Sequence, residues 1–424
     1  MRRPAMTRLA GTLAAIPISV MLSGAATSLA YAQTTSPQTG GPSQVLNSQI
    51  NLGEIFSEQT LNVQTVSEGV TASTTAQANG VSVGVTNADA SVRSSQDNQG
   101  QVYGHAIVDI GANGGAASAV RTTAVGNAAS LSASNGTITA VTSQSNTAEV
   151  TARGQVEAAN AEVQDLTVST LAMGNSAGVN LNNGSAGARI TQATSANVLA
   201  DGGAIVGQVS GTSAIVSTSA GNNINIEGSN QSAGRFITDQ ANTAQVTQAS
   251  KFTAYGNSYL TATTATVTGN NLSAQNEGTL LDVKSNQWNN SYVRSQAEGT
   301  SYLFGAAQTN AYAAGNSSQV TNLGPEVVLD NLQTNTGGGV EALATFQGQD
   351  GYDAVTTATA MGNAVTASVC AQCSGRMTVT NSQSNNADVG STSRTTIASS
   401  GRQVTGVSTA IGNNASFTVA SPGY

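Results

Sequence analysis

Charge, aromatic rings and reactive side chains are all scarce in this sequence. Charged residues make up 8% of the 424 and aromatic residues 4%, with one histidine and two cysteines. The single histidine, His105, has no cysteine or carboxylate cluster near it in sequence. It therefore reads as a structural residue rather than a triad member or a metal ligand. Asp and Glu are scattered through turns, with no recurrent pair and no Lys or Arg beside them of the kind acid–base chemistry needs. That counts against a polysaccharide-active β-helix enzyme, although stacking could still bring distant carboxylates together. No catalytic residue, metal site or cofactor is expected. Cys370 and Cys373 form Cys-Ala-Gln-Cys, and in an exported chain the expected state is a short-loop disulfide. Zinc would need two more soft ligands, and a redox motif would want a helix that Ser374-Gly375 denies. The scarcity of aromatics fits thin stacked layers better than a thick core of Leu and Phe. Helical periodicity is missing too, with Thr and Val where a helix would carry Leu, Glu and Lys.

Long apolar runs are also absent after the first residues. Residues 1–32 read as a secretory signal peptide: Arg2, Arg3 and Arg8, a short apolar stretch from Leu9 to Leu22, and Ala30-Tyr31-Ala32 as a small-x-small cleavage site. No cysteine stands at that site, which argues against a lipid anchor. Removing the signal takes three of the 14 basic residues and no acid, leaving 11 bases against 22 acids, a net of −11. An acidic chain of this kind is not expected to bind nucleic acid. Residues 33–44 form a Pro/Gly/Ser/Thr linker, and residues 45–424 continue without a shift in composition. Neither a terminal set of aromatic-girdled strands nor Asp-bearing calcium nonapeptides are found, so a self-inserting barrel and a calcium-bound coil are not expected.

What the chain does have is a repeat. In Gly136–Gly154, GTITAVTSQSNTAEVTARG, one strand face holds Ile138, Ala140, Thr142, Gln144, Asn146, Ala148, Val150 and Ala152. That face is apolar at both ends and so points inward, carrying two amides in its middle. A buried amide is costly unless paired, and one arrangement pairs it without a separate partner: the same amide stacked above and below. Copies are present. Glutamines recur at 49, 96, 144, 192, 240, 287, 333 and 383, spaced 47, 48, 48, 48, 47, 46 and 50 apart. Gly-Asn pairs recur in phase at 126, 174, 221, 269, 315, 362 and 412. Their flanks also alternate, as in Met173, Asn175, Ala177, Val179 and Leu181. Short Gly/Asn turns such as Ser134-Asn135-Gly136 follow each Gly-Asn strand, and a return arm holds at least one more strand, for example Ala204 to Gln208.

Two motifs keeping one period over about eight units predict an all-β fold, a β-solenoid of tandem repeats of about 48 residues. Each unit would wrap once or twice, giving a body on the order of 40 Å long at one turn per unit, or twice that at two. The expected ladder comprises Gln49, Gln96, Gln144, Gln192, Gln240, Gln287, Gln333 and Gln383, with Asn146, Asn242, Asn289, Asn335 and Asn385 beside them. On the Gly-Asn strands it comprises Asn127, Asn175, Asn222, Asn270, Asn316, Asn363 and Asn413.

Curlin repeats also place an inward Gln and Asn, followed by Ala, in a stacked strand-turn-strand coil, and this chain resembles them through Gln144, Asn146 and Ala148. It departs in spacing, since Gln and Asn stand closer together here and each unit is about twice as long. A closer resemblance is to the holdfast anchor protein HfaD family of stalked bacteria: signal-bearing, Ala/Thr/Asn-rich surface proteins with recurring Gly-Asn and Gln-x-Asn motifs. The resemblance implies a secreted protein at the cell surface, associated with the outer membrane, that fixes an adhesive polysaccharide to the envelope. An outer-membrane secretion channel and a curlin-like companion are the implied partners. A curli-like fibre subunit, forming a homo- or hetero-polymer, is the alternative.

Two surfaces invite a binding role. Eight of the 16 aromatics fall between Phe252 and Tyr312: Phe252, Tyr255, Tyr259, Trp288, Tyr292, Tyr302, Phe304 and Tyr312. By parity Trp288 points outward and Tyr292 lies four further along the same face, where they could stack on sugar rings or anchor a partner. The competing expectation is a satellite core under the return arm. Threonines such as Thr137, Thr139 and the run Thr261 to Thr268 could form flat rows for ice or surface binding if their columns align; otherwise Thr is the ordinary outward residue of a solvated strand.

Overall fold

Thr, Val, Ile and Ala dominate the repeats, and β-branched residues favour pleated strands. The computed structural model describes residues 41–370 and 375–419. The expected signal segment, most of the linker, Cys373 and Tyr424 lie outside the described residues.

Among the described residues every regular element is a strand, and every pairing between strands is parallel. Eight short strands carry the glutamines: Ser43–Asn51, Ala90–Asn98, Thr137–Asn146, Ser185–Thr194, Ala233–Asn242, Leu280–Asn289, Glu326–Asn335 and Arg376–Asn385. They form one continuous sheet in that order. The register holds repeat to repeat, so that Gln144 lies between Gln96 and Gln192. Adjacent strands in the sheet belong to adjacent repeats, so each repeat makes one turn of the coil, not two.

After each Gln strand the chain enters a return arm and then a long arm bearing the Gly-Asn pair. In the first three turns these are separate strands, for example Val150–Val163 and Asp165–Asn182. In the last five they run on as one strand, such as Val198–Ser229, which extends the single strand expected near Ala204. The long arm covers both other segments. Its second half packs Leu131, Ala133, Val179 and Leu181 against Ile138, Ala140 and Ile190 of the Gln strands. Its first half packs Val120, Leu166 and Val168 against Val108, Val156 and Val206 of the return arms. The result is a two-layered coil with a core one side chain deep on each face.

The Gly-Asn pair makes this double coverage possible. Before it the even positions Val120, Thr122 and Ala124 are buried; after it the odd positions Asn127, Ala129, Leu131 and Ala133 are. The inward parity reverses at Gly126, where the pairing register skips one residue in each arm. An unbroken alternation through Met173 and Asn175 is therefore not what forms: Ala172 faces in before Gly174, and Asn175 after it. Every later turn has glycine there, while the first turn, at the open end, has Ala78. A Cβ on Gly126, Gly174, Gly221 or Gly269 would stand 2.5–2.6 Å from the carbonyl oxygen of the glycine one turn on.

Turns closing the first four long arms use asparagine in the left-handed region. Asn87, Asn135, Asn183 and Asn230 have φ of 52°, 51°, 49° and 61°. Asn tolerates that conformation better than any other residue with a Cβ.

Candidate functional site

Inside the coil the amides form three columns. Each glutamine Nε2 donates to the Oε1 of the preceding turn: Gln96 to Gln49, Gln144 to Gln96, Gln192 to Gln144, Gln240 to Gln192, Gln287 to Gln240, Gln333 to Gln287 and Gln383 to Gln333, at 2.7–2.9 Å. The second Nε2 hydrogen goes to a long-arm carbonyl, as from Gln144 to Ser176 O at 2.9 Å. Both donors are thus used, which removes the penalty for burying the amide. Gln49 and Gln383 are half-buried because each lies on a terminal turn with one open side.

On the long arms Nδ2 of Asn127, Asn175, Asn222, Asn270, Asn316 and Asn363 donates to the Oδ1 of the next turn, ending on Asn413. Asn79 starts this column, although no Gly-Asn pair marks it. The third column, on the Gln strands, runs Asn51, Asn98, Asn146 and then Asn242, Asn289, Asn335, Asn385. Thr194 interrupts it, its hydroxyl turning instead to Gly221 O and Asn222 Oδ1, both at 2.9 Å.

On the outside, the Gln sheet carries ion pairs running from turn to turn: Arg189–Asp239, Arg235–Asp282 and Lys284–Asp330 at 3.1, 3.2 and 3.1 Å. Trp288 stands among them, 42% exposed, beside Ala241 and Thr334 on the neighbouring strands. Its indole N–H donates to Thr336 Oγ1 at 3.0 Å, which holds the ring along the sheet surface. Tyr292 shares the outward parity but is half-buried at the start of the return arm, its hydroxyl donating to Glu341. Burial, and then Glu341, push its phenol up to about 12.

The other aromatics divide between core and surface. Tyr255 and Phe304 are buried, Phe304 packing edge-on against Phe346 at 5.1 Å. Tyr259 and Tyr302 are 62% and 63% exposed where return arm passes into long arm, with Leu260 and Leu303 beside them. The next turn adds Tyr352 at that corner, with the Arg402 guanidinium 5.7 Å above its ring. The threonine columns do not make flat rows. Thr137 and Thr139 stack on Ser185 and Gly187, and Thr261, Thr263 and Thr268 are buried. The column Thr123, Leu171, Thr218, Thr266, Tyr312, Thr359 and Thr409 is broken twice, and Leu171 and Thr359 in it are buried.

His105 Nδ1 lies 3.5 Å from Glu58 and its ring meets Tyr103 edge-on. Among the described residues no group of three His, Cys, Asp or Glu is placed to hold a metal ion. Cys370 is disulfide-bonded; Cys373 lies outside the described residues. One interior group was not singled out by sequence: Lys251, 1% exposed, its Nζ donating to Asp201 O at 3.4 Å. Burial lowers its ammonium to about 7, partly opposed by the Asp201 charge. Period-two reading through Thr247, Ala249, Lys251, Thr253 and Tyr255 would have found it.

Residues 64–339 match the family model described as holdfast attachment protein D. A stretch of 70 residues is 80% identical to holdfast attachment protein D of Caulobacter vibrioides (strain ATCC 19089 / CIP 103742 / CB 15), covering 16% of this chain and 23% of that protein. The match therefore spans less than a quarter of the curated relative. No solved structure matches the chain.

Proposed function

The chain belongs to the holdfast attachment protein D family, and from that premise we propose that it is an exported structural component fixing an adhesive polysaccharide to the bacterial envelope. Family membership over residues 64–339 carries the reading; a rigid coil with exposed aromatic side chains is consistent with it. In this reading residues 1–32 direct export and are removed, 33–44 tether, and 45–424 form the coil. An outer-membrane channel passes the chain to the surface, where a curlin-like companion joins it. The chain acts through binding rather than chemistry. Trp288, exposed on the Gln sheet among the ion pairs, is the proposed stacking platform for a sugar ring, with Tyr292, held by Glu341 at the start of the return arm, as a second contact.

Deleting the gene in the source bacterium should leave adhesive material shed into the medium. Complementation with Trp288→Ser, Tyr292→Ser should restore the coil, with little change in thermal midpoint, but only part of the retention. Full retention in the deletion strain overturns the role. Full retention in the double variant overturns this platform alone.

A further inference from the structure

The amide columns have direction, and the Gln and Asn columns run opposite ways. Glutamines donate toward the N-terminal end, so Gln49 keeps one Nε2 hydrogen unused after bonding Gly80 O at 2.9 Å, while Gln383 Oε1 accepts nothing among the described residues. Asparagines donate toward the C-terminal end. Asn51 and Asn79 therefore present unused Oδ1 acceptors at the first turn. Asn385 and Asn413 present unused Nδ2 hydrogens at the last. Each open group at one end meets its complement at the other, in the register already used between turns: Gln383 with Gln49, Asn385 with Asn51, Asn413 with Asn79.

Three further observations agree. Among the described residues the outer edges of the first and last turns pair with no strand, leaving rows of backbone N–H and C=O groups. The core is open at both ends: Val45, Leu61, Val63 and Val81 at the first turn, and Met377, Val379 and Val389 at the last, are only partly buried. The ends also carry opposite charge. The first turn, residues 43–86, holds Glu54, Glu58 and Glu68 and no basic residue; the last, 376–419, holds Arg376, Arg394 and Arg402 against Asp388.

We infer that a second copy of this chain stacks head-to-tail on the first, continuing the coil and its three amide columns across the junction. Such a contact is heterologous: using one end leaves the other free, so it grows into a filament along the coil axis rather than closing as a dimer. In register, exposed Arg394 of one copy falls diagonal to exposed Glu58 of the next, and the half-open cores close on each other.

The test uses the purified chain from Gln33 onward, followed by sedimentation velocity and electron microscopy across a concentration series. The expected result is concentration-dependent growth into rods of uniform width. Arg394→Glu, on the exposed face of the last turn, should raise the concentration for assembly roughly fivefold at low salt. Mixing it with Glu58→Arg chains should recover mixed rods, and far-ultraviolet circular dichroism verifies that each variant keeps its strands. Folded monomers at every concentration, a closed dimer that grows no further, or growth only when a different protein is supplied would each overturn the inference.

Discussion

A single glutamine in the middle of the coil is tied on three sides. Gln192 donates to Gln144 at 2.8 Å and to Asn223 O at 3.0 Å, and accepts from Gln240 at 2.9 Å. Gln192→Leu keeps the volume but orphans a carbonyl, an amide oxygen and an N–H, each costing about 1–3 kcal/mol. A clear fall in the denaturant midpoint is expected. Gln383→Leu should cost less, because it has a neighbour on one side only; equal losses would deny that the ladder stabilises. Lys251 acts in the other direction. Its folded-state value near 7 lies below the unfolded 10.5, so the unfolded chain holds more protons between those limits. Stability therefore rises with pH through that window, and the full penalty, roughly 4–5 kcal/mol, applies below it. Tyr255, pushed up to about 12 mainly by burial, sets the upper limit: above pH 10 the folded chain holds the extra proton and stability falls. Lys251→Met should flatten the rise between pH 7 and 10 and stabilise the coil at neutral pH. Equilibrium denaturation at several pH values measures both.

At the level of the strand and turn, much was legible because period two says which face is buried. Ile138, Ala140, Gln144 and Asn146 announce both the inward face and the need for stacked copies. The reversal at Gly126 and its successors was not legible as such: a glycine hides a skipped residue, since it has no side chain whose burial could report the change. Its signature is a switch of parity in the buried positions across each Gly-Asn pair, even to odd at Gly126 and Gly174 and odd to even at Gly221, Gly269 and Gly315. Outer-face binding is less legible still. Parity puts Trp288 outside and Tyr255 inside, but only coordinates show Tyr292 held by Glu341 and Phe304 drawn into the core. The turns give a sharper test. Asn183, with φ 49°, also donates from Nδ2 to Asn135 Oδ1 at 2.8 Å. Asn183→Gly should be within about 0.5 kcal/mol of the parent, and Asn183→Ala should lose about 1 kcal/mol through left-handed strain. Thermal midpoints distinguish the two. A Gly174→Ala change should be worse than either, with its Cβ 2.6 Å from Gly221 O.

For the molecule as a whole, each turn touches mainly the turns beside it, so stability is a sum along one axis. Amide hydrogen exchange should be slowest in the middle turns and fastest over 43–86 and 376–419, where one neighbour is missing. Uniform protection from end to end would instead mark a single cooperative block. One turn per repeat has a mechanical corollary. A pull along the coil axis sets the rungs in series, so the outermost turn peels away while the rest stays wound. Each turn released frees about 47 residues, roughly 150 Å of extended chain, from a rung that occupied only about 4.8 Å. A molecule built this way lengthens by even steps under tension and dissipates work at each, so it yields gradually to a steady pull instead of failing all at once.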